Sequence, residues 1–133
     1  MRTIEHWISG RTTSGAPLGT SPVWNPATGA QQAEVVLGSP ADVDEAVRTA
    51  VAAAREWGEA SLSKRAKVLF AFRELVAAHV DELAALVTAE HGKVLSDARG
   101  EVERGLEVVE FACGIPHLMK GEFSENVSSD VDS

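Results

Sequence analysis

The stretch GEVERGLEVVEFACG, residues 100–114, gathers Glu101, Glu103, Arg104, Glu107, Glu110 and Cys113 on what reads as one helix. Carboxylates at helical spacing invite a general acid and base, but such a pair must face one pocket across a substrate, which a single helix does not show. The four glutamates are expected to form a hydrated face. Arg104 differs, being the only base between Gly100 and Lys120. It lies three residues before Glu107, which allows an i, i+3 ion pair, while its planar guanidinium equally offers a fork to a ligand carboxylate. On composition alone the ion pair is the stronger reading. Cys113 with His117 suggests a thiol and imidazole couple, yet Gly114 and Pro116 interrupt the helix that would align them. Cys113 is expected to pack as a small hydrophobe.

The remaining chemistry is sparse. His6, His79, His91 and His117 fall in four separate elements, and no Cys or His pair has zinc-ligand spacing. EHGK at 90–93 pairs glycine with lysine, but a phosphate-binding Walker loop needs further glycines before the lysine and a hydroxyl residue after it. Gly92 reads as a helix end, with Lys93 near its negative pole. There is no Gly-x-Gly-x-x-Gly, so the chain carries no nucleotide fingerprint of its own.

These groups must be positioned by a chain of 133 residues, enough for one domain. An apolar content of 44% with 24% charged residues is globular composition. The net charge of -8, with no basic stripe, argues against nucleic acid or an anionic membrane as partner. One cysteine makes no internal disulfide, and MRTIEHWISG lacks the apolar run of a signal peptide. A cytoplasmic location is expected.

Three short strands are expected in residues 1–38, around IEHWISGR, SPVWNPATG and AEVVLG, with a turn at Pro26–Gly29. Such a ribbon is marginal alone and needs a neighbouring surface. At SPADVDEAVRTAVAAAREW the period shifts toward 3.6. Ser39 is the expected N-cap, Pro40 the first helical residue and Asp42 the third, as in a capping box. Val43, Val47, Val51 and Trp57 then mark an apolar stripe down to Gly58. A second helix is expected from Ser61 or Ser63 to about His79, a third over Asp81–His91, and a fourth from near Leu95 to Cys113. Gly100 and Gly105 inside the fourth each cost about 1 kcal/mol relative to alanine, so that helix needs tertiary support. Pro116 is expected to end it, leaving 115–133 as a polar tail after a helical segment over 39–114.

Taken in order, NPATG after a strand, DVDEAVRTAVAAAREW, KRAKVLFAFRELVAAHVDELAALVTAEHGK and DARGEV resemble the opening of the aldehyde dehydrogenase superfamily. GEVERGLEVVEFACGIPHLMKGE resembles its CoA-acylating methylmalonate-semialdehyde dehydrogenase branch in particular. The resemblance implies an α/β parent fold with a doubly wound NAD-binding domain, of which 1–133 would be the N-terminal part, its helices packed around an absent sheet. It also implies oxidation of methylmalonate or malonate semialdehyde with NAD, loss of carbon dioxide or bicarbonate, and acyl transfer to coenzyme A, in valine and inositol degradation. The parent is expected to be a homo-oligomer, dimer or tetramer, and the 133 residues an inactive fragment lacking the catalytic cysteine. Cys113 does not match that cysteine. Arg104 matches the position from which this branch is expected to meet the substrate carboxylate, and Phe111 would line the same tunnel. The rival reading is a freestanding helical binding or assembly module without enzymatic activity.

Overall fold

The structure is a computed structural model covering every residue from Met1 to Ser133. Its N-terminal part holds five strands rather than three: β1 (Arg2–Ile4), β2 (His6–Ile8), β3 (Arg11–Thr13), β4 (Gly19–Trp24) and β5 (Gln31–Leu37). IEHWISGR splits because Ser9 and Gly10 both take positive φ, 57° and 74°, and fold β3 back on β2. Two consecutive residues of that kind match the twist of a tight hairpin. β1 instead pairs in parallel with β5, the centre of a sheet ordered β1-β5-β4. β4 is an edge strand, which is why it tolerates Pro22. Between β4 and β5, the Asn25 side-chain oxygen accepts from Ala27 N at 3.0 Å and its carbonyl accepts from Gly29 N at 2.8 Å. Gly29 takes the positive φ that closes this turn, as expected of NPATG.

Helix α1 (Pro40–Glu59) starts at the expected capping box. Ser39 Oγ accepts from Asp42 N, while the Asp42 carboxylate accepts from Ser39 N at 2.7 Å and from Ser39 Oγ at 2.8 Å. Asp42 accepts a further bond from Ala16 N at 2.9 Å, so one side chain ties the β3–β4 loop to the helix start. These backbone donors, Ser39 foremost and then Ala16, hold the Asp42 carboxyl below the ordinary carboxylate range. The apolar stripe of α1 finds little cover. No α1 residue is buried, and Val43, Val47 and Val51 are each more than half exposed.

Helices α2 (Leu62–Ala78), α3 (Val80–His91), α4 (Leu95–Cys113) and α5 (Ile115–Leu118) follow. α4 packs against both α2 and α3. The buried positions there are small or slender: Ala66, Val80, Ala84, Ala98 and Cys113. Such residues let helix axes approach closely, which is the support that α4 needs for its internal glycines. Pro116 does not simply stop the chain; it sits in the first turn of α5, where a missing N–H costs nothing. The tail beyond α5 is also less plain than a loose end. Ser124 and Ser133 exchange backbone bonds of 2.6 and 2.9 Å, closing a small antiparallel loop.

Only eight of the 133 residues are buried, and the accessible surface is 9676 Å². A compact monomer of 14.1 kDa would expose about 6,700 Å². The excess of roughly 3,000 Å² on this one chain is at least what one partner gives up in a large obligate interface. No helix is long and apolar enough to cross a membrane.

Candidate functional site

α4 begins just after a tight junction. Gly92 caps α3 in the left-handed region, its N–H reaching Thr88 O at 2.8 Å. A Cβ on Gly92 would stand 3.0 Å from Ala27 N and 3.1 Å from the Pro26 ring, so the NPATG turn is seated against this glycine. Lys93, next in the chain, turns its ammonium onto Asp97 at 2.6 Å and Glu101 at 2.5 Å, with only 21% of its side chain exposed. Lys93 and Asp97 each stabilise the other's charged form. Asp97 and then Glu101 raise the Lys93 pKa, and Lys93 is the main reason that the Asp97 carboxyl is lowered.

Further along α4, Glu110 and Glu103 are engaged like Glu101, and Glu107 alone stays an exposed, unpaired carboxylate as expected. Glu110 takes both Nε and Nη2 of Arg73 from α2, at 2.9 and 2.6 Å. Glu103 accepts from Arg99 Nε at 3.1 Å, and Arg99 also reaches Asp81 on α3. The Arg73–Glu110 and Arg99–Asp81 pairs join separate helices and have no local signal, whereas Arg99–Glu103 and Lys93–Asp97 are at i, i+4 spacing that was legible in the sequence.

Arg104 behaves otherwise. It enters none of the ion pairs of the chain, and the expected pair with Glu107 is not formed. The reason is directional. Side chains on a helix lean toward its N-terminus, and Arg104 Nη1 accordingly lies 3.7 Å from where a Gly100 Cβ would be, away from Glu107. An arginine preceding its glutamate is also the weaker orientation for such a pair. The guanidinium is left exposed over the bare turn at Gly100, a place that a larger residue would crowd.

Phe111 stands seven residues on, which returns to the same face of a helix with 3.6 residues per turn. Val108, one turn after Arg104, lies between them. Val108 is 68% exposed and Phe111 69%. Val108 was missed in the sequence, although its i+4 spacing from Arg104 was the signal. The face therefore offers a free guanidinium with an apolar strip beside it. Such a surface suits a small ligand with a carboxylate at one end and carbon at the other. None of the chain's clefts includes Arg104 or Phe111, so this is one wall and not a pocket.

Cys113 closes α4 and is buried, as expected of a small hydrophobe. No group of three or more His, Cys, Asp or Glu converges as a metal-ligand set. The residues of this chain also do not fit a dinucleotide or coenzyme A phosphate. The one long helix that follows a strand is α1, and its N-terminal donors are taken by the Ser39 and Asp42 box, which places a carboxylate where an anion would bind.

The chain matches the aldehyde dehydrogenase family over residues 13–133. It is 44% identical over 132 residues to malonate-semialdehyde dehydrogenase 3 of Geobacillus kaustophilus, covering 99% of this chain and 27% of that protein. Two solved structures, each 42% identical with a TM-score of 0.88, cover 99% of this chain and 27% of their own. One is described as a methylmalonate-semialdehyde dehydrogenase of Sinorhizobium meliloti complexed with NAD, the other as the methylmalonate-semialdehyde dehydrogenase of Oceanimonas doudoroffii. The chain thus spans about 27% of the length of the relatives it matches.

Proposed function

The chain belongs to the aldehyde dehydrogenase family, and we propose that the protein carrying it oxidises malonate or methylmalonate semialdehyde with NAD. The acyl group passes to coenzyme A, the carboxylate leaves as carbon dioxide or bicarbonate, and acetyl-CoA or propanoyl-CoA is the product. Residues 1–133 form the N-terminal part of the NAD-binding domain in this reading, and by themselves they turn nothing over.

Two supports differ in kind. Similarity at 44% to a malonate-semialdehyde dehydrogenase, along 99% of the chain, supports the substrate class. The observation that carries the site is the unpaired Arg104 guanidinium beside exposed Val108 and Phe111. In the intact enzyme Arg104 holds the substrate carboxylate through a two-pronged charged hydrogen bond. Val108 and Phe111 cover the carbon skeleton and shed water from it. Holding the far end of a short substrate fixes where its aldehyde carbon lies, and that is the contribution of this wall to the rate. When bound elsewhere in the intact enzyme, NAD would supply the hydride acceptor. No residue of this chain takes part in that step.

The test is a product assay on the enzyme that contains this chain. NADH and an acyl-CoA should form together from malonate or methylmalonate semialdehyde, and only when coenzyme A is supplied. Equal turnover of uncarboxylated aldehydes, with free acid as product, would contradict the reading. So would NADH formation by residues 1–133 alone.

A further inference from the structure

We propose that Lys93 is a positioning residue that keeps Arg104 available for the substrate by holding the two acids, Asp97 and Glu101, that would otherwise neutralise it. The inference rests on the carboxylate role of Arg104 proposed above and adds the device that preserves it.

The geometry supplies each part. Arg104 lies back over the turn at Gly100, and Asp97 and Glu101 occupy the neighbouring turns toward the helix start. Glu101 is three residues before Arg104, an acid preceding a base, which is the favourable order for a helical ion pair. Asp97 already feels the Arg104 charge, after the larger effect of Lys93. Yet neither acid reaches Arg104, because both converge on one ammonium at 2.6 and 2.5 Å. Lys93 can hold them because its own place is set. Gly92, seated against Pro26 and Ala27, brings the chain out of α3 so that Lys93 faces the first turns of α4.

An acid released onto Arg104 competes with the substrate carboxylate and with nothing else, and this gives the role a signature that a structural brace lacks. In the active enzyme, Lys93→Gln should raise KM for malonate semialdehyde about two- to fivefold, the scale of an exposed ion pair. KM for propanal should not move, and Lys93→Arg should leave both unchanged. The triple variant Lys93→Gln, Asp97→Asn, Glu101→Gln should return KM for malonate semialdehyde to within about twofold of the parent. A brace would not be restored by removing its partners, so an unrescued triple variant overturns the proposal, as does an equal rise for both substrates.

Should Lys93→Gln fail to fold, Gly100→Glu supplies an unheld acid four residues before Arg104 while Lys93 stays in place, and Gly100→Gln controls for bulk beside the guanidinium. The selective rise is expected for Gly100→Glu over Gly100→Gln, and an equal rise in both, or none, contradicts the competition. Arg104→Gln, assayed beside them, separates the two levels. If it is selective and Lys93→Gln is not, the Lys93 role alone fails; if Arg104→Gln is unselective, the carboxylate role falls and the Lys93 role with it.

Discussion

Alanine at Gly92 and alanine at Gly105 should move stability in opposite directions, although both replace a glycine in or beside a helix. At Gly92 two penalties combine. The residue holds φ at 74°, and an L side chain in the left-handed region costs roughly 1–2 kcal/mol. Its Cβ would also stand 3.0 Å from Ala27 N and 3.1 Å from the Pro26 ring, where backbone and ring have little freedom to give way. Squeezing a methyl into such a contact costs on the order of 1–3 kcal/mol. The sum is a loss of about 2–5 kcal/mol. Gly105 lies in the α4 interior with nothing within 4 Å of its would-be Cβ. Alanine there removes the helix penalty and should gain up to about 1 kcal/mol. Gly92→Asn, which tolerates the left-handed region but keeps the Cβ, should lose only the contact part. Urea denaturation followed by far-UV circular dichroism, with the slope unchanged across variants, reads all three. A neutral Gly92→Ala would refute the seating of the NPATG turn. A costly Gly105→Ala in the complete enzyme would reveal a surface laid directly on α4.

Further outcomes follow from the same contacts. Ser39→Ala should cost about 1 kcal/mol, since it removes one half of the capping box, and a melt of the variant measures it. The Asp42 carboxyl is lowered in the folded state, so it favours folding above its unfolded pKa. That contribution is lost as pH falls through the folded value, and Asp42→Asn should flatten the acid limb of a stability profile below pH of about 4. A neutral-pH optimum with an unaltered acid limb in the variant would contradict this. Residues 1–133 expressed alone should self-associate and bind an apolar dye, because Val43, Val47, Val51, Val68, Phe72 and Leu75 are each half or more exposed. A monomeric, dye-silent sample in sedimentation would mean that these faces are covered from within.

What was legible in the sequence is what neighbours decide. Ser39, Pro40 and Asp42 specify the start of α1 by contacts within four residues, and Gly92 ends α3 by its own φ. Gly10 within IEHWISGR signals the turn between β2 and β3, but the separation of β1 from β2 was hidden, because β1 takes its partner from β5, about thirty residues away. α5 was hidden for a different reason: proline opens a helix as readily as it closes one. At the candidate site Arg104 and Phe111 were expected from the family resemblance, and their seven-residue separation puts them on one face of α4. The fate of the glutamates depended on Arg73 and Lys93 from elsewhere, and the freedom of Arg104 on which way its side chain leans.

The carboxylate-binding role of Arg104 is tested by one comparison. In the enzyme that carries this chain, Arg104→Ala should raise KM for malonate semialdehyde on the order of 10- to 100-fold, the loss of a charged hydrogen bond, and leave KM for propanal within about twofold. An equal effect on both substrates, or none on either, would contradict it.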